Sequence, residues 1–139
     1  MTLITCVDSR GGLCFNKRRQ SRDRAVSADI LAHCSGKPLW MSAASAKLFE
    51  DAPNIRIADD CLHRAGEGEF CFLECAPDYG IDYEGVILYC WNRIYPMDTA
   101  LDRDRLLCGM ELCAQTEFAG NSHEKITKEV LYNGKKAQP

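Results

Sequence analysis

Three features are missing from this chain, and each absence removes a class of function. There is no Cys-x-x-Cys pair anywhere in it, so the compact chelating turn of a structural zinc site is not on offer. No apolar run approaches the roughly 18 residues that a membrane span needs, and no apolar stretch precedes the basic region at Asp8–Arg24 as it would in a secretory leader. The three histidines, at 33, 63 and 123, form no His-x-His pattern. Internal repeats, low-complexity tracts and Pro/Ser-rich linkers are also missing. These absences predict a cytoplasmic protein with no membrane contact. A chain of 139 residues then forms one domain around one core, expected over residues 1–132, with a frayed polar tail at 133–139.

What is present is ordinary in bulk and uneven in detail. Apolar residues make up 46% and charged residues 27%, the balance of a globular domain. The formal net charge of −3 gives no support to a nucleic-acid role. The charge is concentrated, however. Residues 16–24 hold five basic side chains against one acid, whereas 50–84 is acidic. A locally basic, globally acidic protein suits a small anionic partner better than a long polyanion. The nine cysteines are odd in number, which favours reduced thiols buried as small hydrophobes over a disulfide framework. Cys71 and Cys75 in one strand would stand about 13 Å apart, too far to share an ion. No metal site is expected.

β-branched and aromatic runs place strands near 2–8, 38–42, 54–58, 69–75, 85–95, 109–118 and 125–132. Helical spacing marks Ser27–Cys34 and Ala44–Asp51, the second stopped by Pro53. A short helix fits 59–66. Helices alternate with strands in the first half, which predicts right-handed crossovers and parallel strands. Strands alone follow, which predicts antiparallel pairing after residue 85. The expected fold class is therefore α/β, a mixed and mostly parallel sheet with antiparallel C-terminal strands.

Three constellations carry possible chemistry. Arg18, Arg19 and Asp23 sit in the basic segment after the first strand. That is the carboxyl end of a parallel strand, where ligands of open α/β sheets bind. Arginine forks suit carboxylate or phosphate. The second is Trp91–Tyr95: in a strand Trp91, Arg93 and Tyr95 share one face, and a stacked Arg93 would be an oriented cation. The third is Gly120–Lys125, where His123 has Ser122 and Glu124 as neighbours. His123 with Glu124 would make an acid–base pair, and with Ser122 a nucleophile–base pair. Each has a plainer reading: a solvated loop, a packed sheet face, a side-chain-stabilised turn.

The order of Leu3–Asp8, the Gly11-Gly12 break, the basic segment, a helix to Cys34 and Pro38-Leu39-Trp40-Met41-Ser42 resembles the opening of dihydrofolate reductase. Leu88–Thr99 resembles in length the reductase strand that ends in Asp-Thr. Ser27-Ala28-Asp29-Ile30 resembles the helix start that holds the reductase's substrate-binding acid. If the helix begins one turn earlier, Asp23 takes that place. The resemblance implies a pocket where Arg19, Asp23, Glu74 and Tyr89 converge, with Ser42 nearby. Arg19 would pair with an anion, Asp23 would exchange a proton or orient an arginine, and Tyr89 would offer a stacking face. It also implies NADPH, but here the residues depart. Phe72-Leu73-Glu74-Cys75 stands where the reductase carries Gly-Gly, and Ser42 or Ala43 replaces a further glycine. A carboxylate repels a pyrophosphate and a side chain blocks its approach, so no cofactor is expected.

Phe15–Ser21, Trp91–Pro96 and Gly120–Thr127 also resemble motifs of small bacterial proteins often labelled ribonuclease Z. That label implies a multi-histidine, two-metal site, for which the histidine spacing offers no frame. The sequence thus leads to a binding domain for a small anion. A divergent NADPH oxidoreductase and a hydrolase or ribonuclease remain as alternatives, and the oligomeric state is left open.

Overall fold

A computed structural model describes residues 1–134. The chain begins with β1 (Thr2–Val7), β2 (Gly12–Phe15) and β3 (Arg18–Arg19), followed by helix α1 (Arg24–His33). Then come β4 (Leu39–Met41), α2 (Ala43–Ala46), β5 (Ile55–Ile57), α3 (Cys61–Arg64) and β6 (Phe70–Phe72). The last part holds β7 (Gly85–Cys90), β8 (Thr99–Ala100), α4 (Arg103–Leu106), β9 (Met110–Phe118) and β10 (Ile126–Asn133).

Seven strands form the main sheet in the order β5-β4-β6-β1-β7-β10-β9. β1 runs parallel to both β6 and β7, and β4 runs parallel to β5 and β6. β10 is antiparallel to β7 and to β9. The expected mixed, mostly parallel α/β sheet is present. One detail differs: β7 itself is parallel, so antiparallel pairing starts with β10 and not at residue 85. The segment between β6 and β7 contains no helix, yet it is long enough to return the chain to the same end of the sheet, and that geometry sets direction.

Burial explains the central strands. Leu3, Val7, Val86 and Leu88 pack on one face of the sheet, and Ile4, Ile87 and Tyr89 on the other. Strands covered on both faces read as continuous apolar runs. α1 lays Val26 and Ile30 on the second face.

A second sheet, β3-β2-β8, flanks the first. It was not foreseen; residues 16–24 read as a basic loop. Asn16 and Lys17 both have positive φ, 50° and 60°, the requirement of a tight two-residue hairpin, and Cys14 pairs with Arg19 across it. Three further expectations are corrected. β7 ends at Cys90, because Asn92 turns left-handed at φ 60°, so Trp91, Arg93 and Tyr95 do not share a strand face. β10 extends through Asn133, which pairs with Met110. Gly134 follows in a turn, and residues 135–139 of the expected frayed tail lie outside the described residues. α2 is also shorter than predicted, with Leu48 and Phe49 beyond its end.

Candidate functional site

The chain leaves β3 through Gln20 and Ser21 and enters α1 with Asp23 as its N-cap. The Asp23 carboxylate accepts from the Ala25 N–H at 2.8 Å, the usual role of an aspartate there. The same carboxylate accepts the N–H groups of Asn121 and Ser122, each at 2.8 Å. It also meets His123 Nδ1 at 2.9 Å. Gly120 makes this possible. A Cβ there would lie 2.6 Å from Asp23 Oδ2 and 2.7 Å from the His123 carbonyl. Burial pushes the Asp23 carboxyl upward, but the donors of Asn121, His123, Ser122 and Ala25 outweigh it and hold the group well below the ordinary carboxylate range.

His123 is 4% exposed and stacks on Trp91 with ring centroids 4.7 Å apart. Because the carboxylate is an acceptor only, Nδ1 carries the proton. Nε2 then faces two hydroxyls, Ser21 Oγ at 3.0 Å and Tyr95 Oη at 2.9 Å. The histidine's acid is thus Asp23, a hundred residues earlier in the chain, and not Glu124, which is exposed. Asp23, His123, Ser21 and Tyr95 tie three loops into one knot.

On the far side of Asp23 opens a cleft of about 660 Å³ between α1 and residues 47–50, which follow α2 at the carboxyl end of β4. Ala28, Leu31, Leu48 and Phe49 give it apolar walls, and Asn121 and Ser122 close one end. Arg22, Arg24 and Lys47 bring three exposed cations to its rim against Glu50 and the already committed Asp23. Arg24 Nε donates to Asn121 Oδ1 at 3.2 Å.

A separate cluster sits where the small sheet meets the main one. Arg19 donates through Nε and a terminal nitrogen to the two Glu74 oxygens at 2.7 and 3.0 Å. Ser45 Oγ donates to Glu74 at 2.7 Å, and Ser42 caps α2 by accepting the Ser45 N–H. On the α1 face, Tyr89 Oη donates to Asp29 at 2.6 Å, and Lys128 Nζ bonds Asp29 at 2.8 Å.

The expected pocket of Arg19, Asp23, Glu74 and Tyr89 therefore divides into three places. Arg19 and Glu74 do meet, with Ser42 close by, but each satisfies the other. Tyr89 is 0% exposed, so its stacking face is covered by core. Burial, then the Asp29 carboxylate, pushes its hydroxyl far above the ordinary phenol value. Arg18 and Arg93 are exposed and lie off the cleft. Arg22, Arg24, Lys47 and Ser21 were missed, and Tyr95 was placed on a strand face with Arg93, not against His123. The first three lay in plain basic or helical sequence, with only the charge cluster as a signal. Among the described residues no three His, Cys, Asp or Glu side chains gather as metal ligands.

No known family and no curated protein matches this sequence. One similar solved structure is dihydrofolate reductase from Enterococcus faecalis complexed with NADP(H) and RAB-propyl. Its TM-score is 0.59 at 9% identity, over 96% of this chain and 95% of that one. At that identity the likeness shows the fold alone: this is a dihydrofolate reductase-like α/β domain.

Proposed function

We propose that this reductase-like domain binds a small organic anion in the cleft between α1 and residues 47–50. The observation that carries the reading is the cleft itself, about 660 Å³, within the size of ordinary ligand sites. Apolar walls of Leu31, Leu48 and Phe49 would take a flat or aliphatic body. Arg22, Arg24 and Lys47 would take its carboxylate or phosphate at the rim. Calorimetric titration with aromatic mono- and dicarboxylates, dihydrofolate included, against their neutral amides tests it. The charged forms should bind, and Arg24→Ala should weaken them about tenfold, roughly 1.4 kcal/mol. Equal binding of charged and neutral forms, or none of either, overturns the reading.

The similar reductase carries NADP(H), and the residues here fit that cofactor poorly. Two features support a closed dinucleotide corner. The end of β6 reads Leu73-Glu74-Cys75, without the glycines a close backbone approach needs. The Glu74 carboxylate already bonds Arg19 and Ser45 beside the start of α2, so the cation and the hydroxyl that could receive a pyrophosphate there are taken.

A hydrolase is the second reading, favoured by one observation: Ser21, His123 and Asp23 are aligned at 3.0 and 2.9 Å, the order of nucleophile, base and orienting acid. Tyr95 competes for the same Nε2 lone pair. Fluorophosphonate labelling decides it. An adduct mapped to Ser21 and lost in His123→Gln supports the hydrolase, and unlabelled Ser21 removes it.

A further inference from the structure

The seam between the two sheets brings together two cysteines that neither the cleft nor the histidine knot uses. Cys14 lies in β2 and is 1% exposed. Cys75 follows Glu74, just past the end of β6, and is half-buried. Their Sγ atoms stand 2.9 Å apart although 61 residues separate them in the chain. A disulfide bond is about 2.0 Å long, so the two sulfurs stand within about an ångström of bonding separation. The nearest comparable pair, Cys61 and Cys71, is 3.7 Å apart.

The surroundings keep the two thiols in register. Cys14 is the cross-strand partner of Arg19, and Cys75 is the chain neighbour of Glu74. Arg19 and Glu74 are themselves ion-paired at 2.7 Å. The thiol contact and the ion pair thus cross the same seam one residue apart, and the second clamps the geometry of the first. Cys75 is the more accessible of the two.

We propose that Cys14 and Cys75 form a dithiol modification site, converted by a peroxide-class oxidant into an intramolecular disulfide that staples the small sheet to the main sheet. The Cys75 thiolate attacks one peroxide oxygen, the O–O bond breaks, and hydroxide leaves, giving Cys75 sulfenic acid. The Cys14 sulfur then attacks the Cys75 sulfur, the S–O bond breaks, and the oxygen leaves as water with the thiol proton. Two thiols and one hydrogen peroxide become one disulfide and two waters. Burial first, then the Cys14 thiol and the Glu74 carboxylate, pushes the Cys75 thiol up to about 11. Thiolate is therefore scarce at neutral pH, and the reaction is slow there and quickens as pH rises. Once formed, the bond joins buried or half-buried sulfurs and is sheltered from attacking thiols.

The test treats the whole chain with hydrogen peroxide, quenches with an alkylating reagent, and maps unreduced peptides by mass spectrometry. Exposed Cys108 and Cys113 report that oxidant was delivered. The expected product has lost the mass of two hydrogen atoms and links the Cys14 and Cys75 peptides, while Cys61 and Cys71 remain alkylated. Cys75→Ser abolishes that link, the oxidised chain melts higher than the reduced one, and the linking rate rises from neutral to alkaline pH. Recovery of Cys14 and Cys75 as alkylated thiols after Cys108 and Cys113 are consumed overturns the proposal. So does linkage of either to a different cysteine. If Cys14→Ser fails to fold, the wild-type peptide map still decides.

Discussion

Asp23 and Glu74 are both carboxylates that bind elements distant in sequence, but one pair is fully buried and the other only partly so. The Asp23–His123 pair has side chains 0% and 2% exposed, whereas Glu74 and Arg19 are 18% and 32% exposed. Asp23 collects three backbone N–H groups and an imidazole, all fixed by the loops that carry them. Glu74 collects a flexible guanidinium and a serine hydroxyl. The difference teaches that partner number matters less than what is left behind when one partner goes. Around Asp23 the orphans would be a buried imidazole and three backbone donors that cannot rotate away. Around Glu74 they would be a guanidinium that swings out to water and one serine hydroxyl that can turn to another acceptor.

The largest effect should come from Asp23→Ala. Removing one side of a buried charged network costs about 3–5 kcal/mol, and urea unfolding measures it. A loss no larger than a surface pair's would erase the contrast. The same group sets an acid limit. Its folded pKa lies below the unfolded value of about 3.9, so it stabilises fully above that value. The contribution disappears as pH falls through the folded pKa. Thermal melts from pH 5 downward should show the decline, and Asp23→Asn should flatten it.

Gly120→Ala sharpens the comparison next. Its methyl would press on the His123 carbonyl, which is backbone and cannot rotate away. A cost of about 1–3 kcal/mol is expected, with the Trp91 emission shifting as the stacked His123 moves. An unchanged melting temperature would show that the 120–123 loop is looser than the distances indicate.

The smallest effect belongs to Arg19→Ala. A partly exposed pair contributes about 1 kcal/mol or less, and raising salt should shrink the difference from wild type further. Anion binding in the cleft should stay within about twofold, because the Arg19 fork faces Glu74 and not the ligand. A loss near that of Arg24→Ala would move the anion site back to Arg19.

Much of this architecture was legible before any coordinates. Apolar runs marked strands at 2–8, 69–75 and 85–95, the last of them five residues too long. Helical spacing marked a helix near α2, although α2 ends at Ala46, well before Pro53. The earlier of the two starts considered for α1 is the one the structure has, and it makes Asp23 the N-cap, a role the sequence reading did not assign. Local signals failed where the chain turns on side-chain chemistry alone. Nothing periodic announces a hairpin at Asn16-Lys17 or the left-handed Asn92 that ends β7 and swings Tyr95 back toward His123.

By its own patterning the sequence determined a mixed α/β sheet, a basic segment beside the first crossover, and the absence of glycines after β6. The tertiary structure alone decided which cation met which carboxylate. Arg19 was consumed by Glu74, 55 residues away. His123 was oriented by Asp23, 100 residues away, and Cys14 was brought against Cys75. Hydrophobic periodicity is a property of neighbours along the chain and can be read there. A charge pair is a property of neighbours in space, and its partner is chosen only once the sheets have packed.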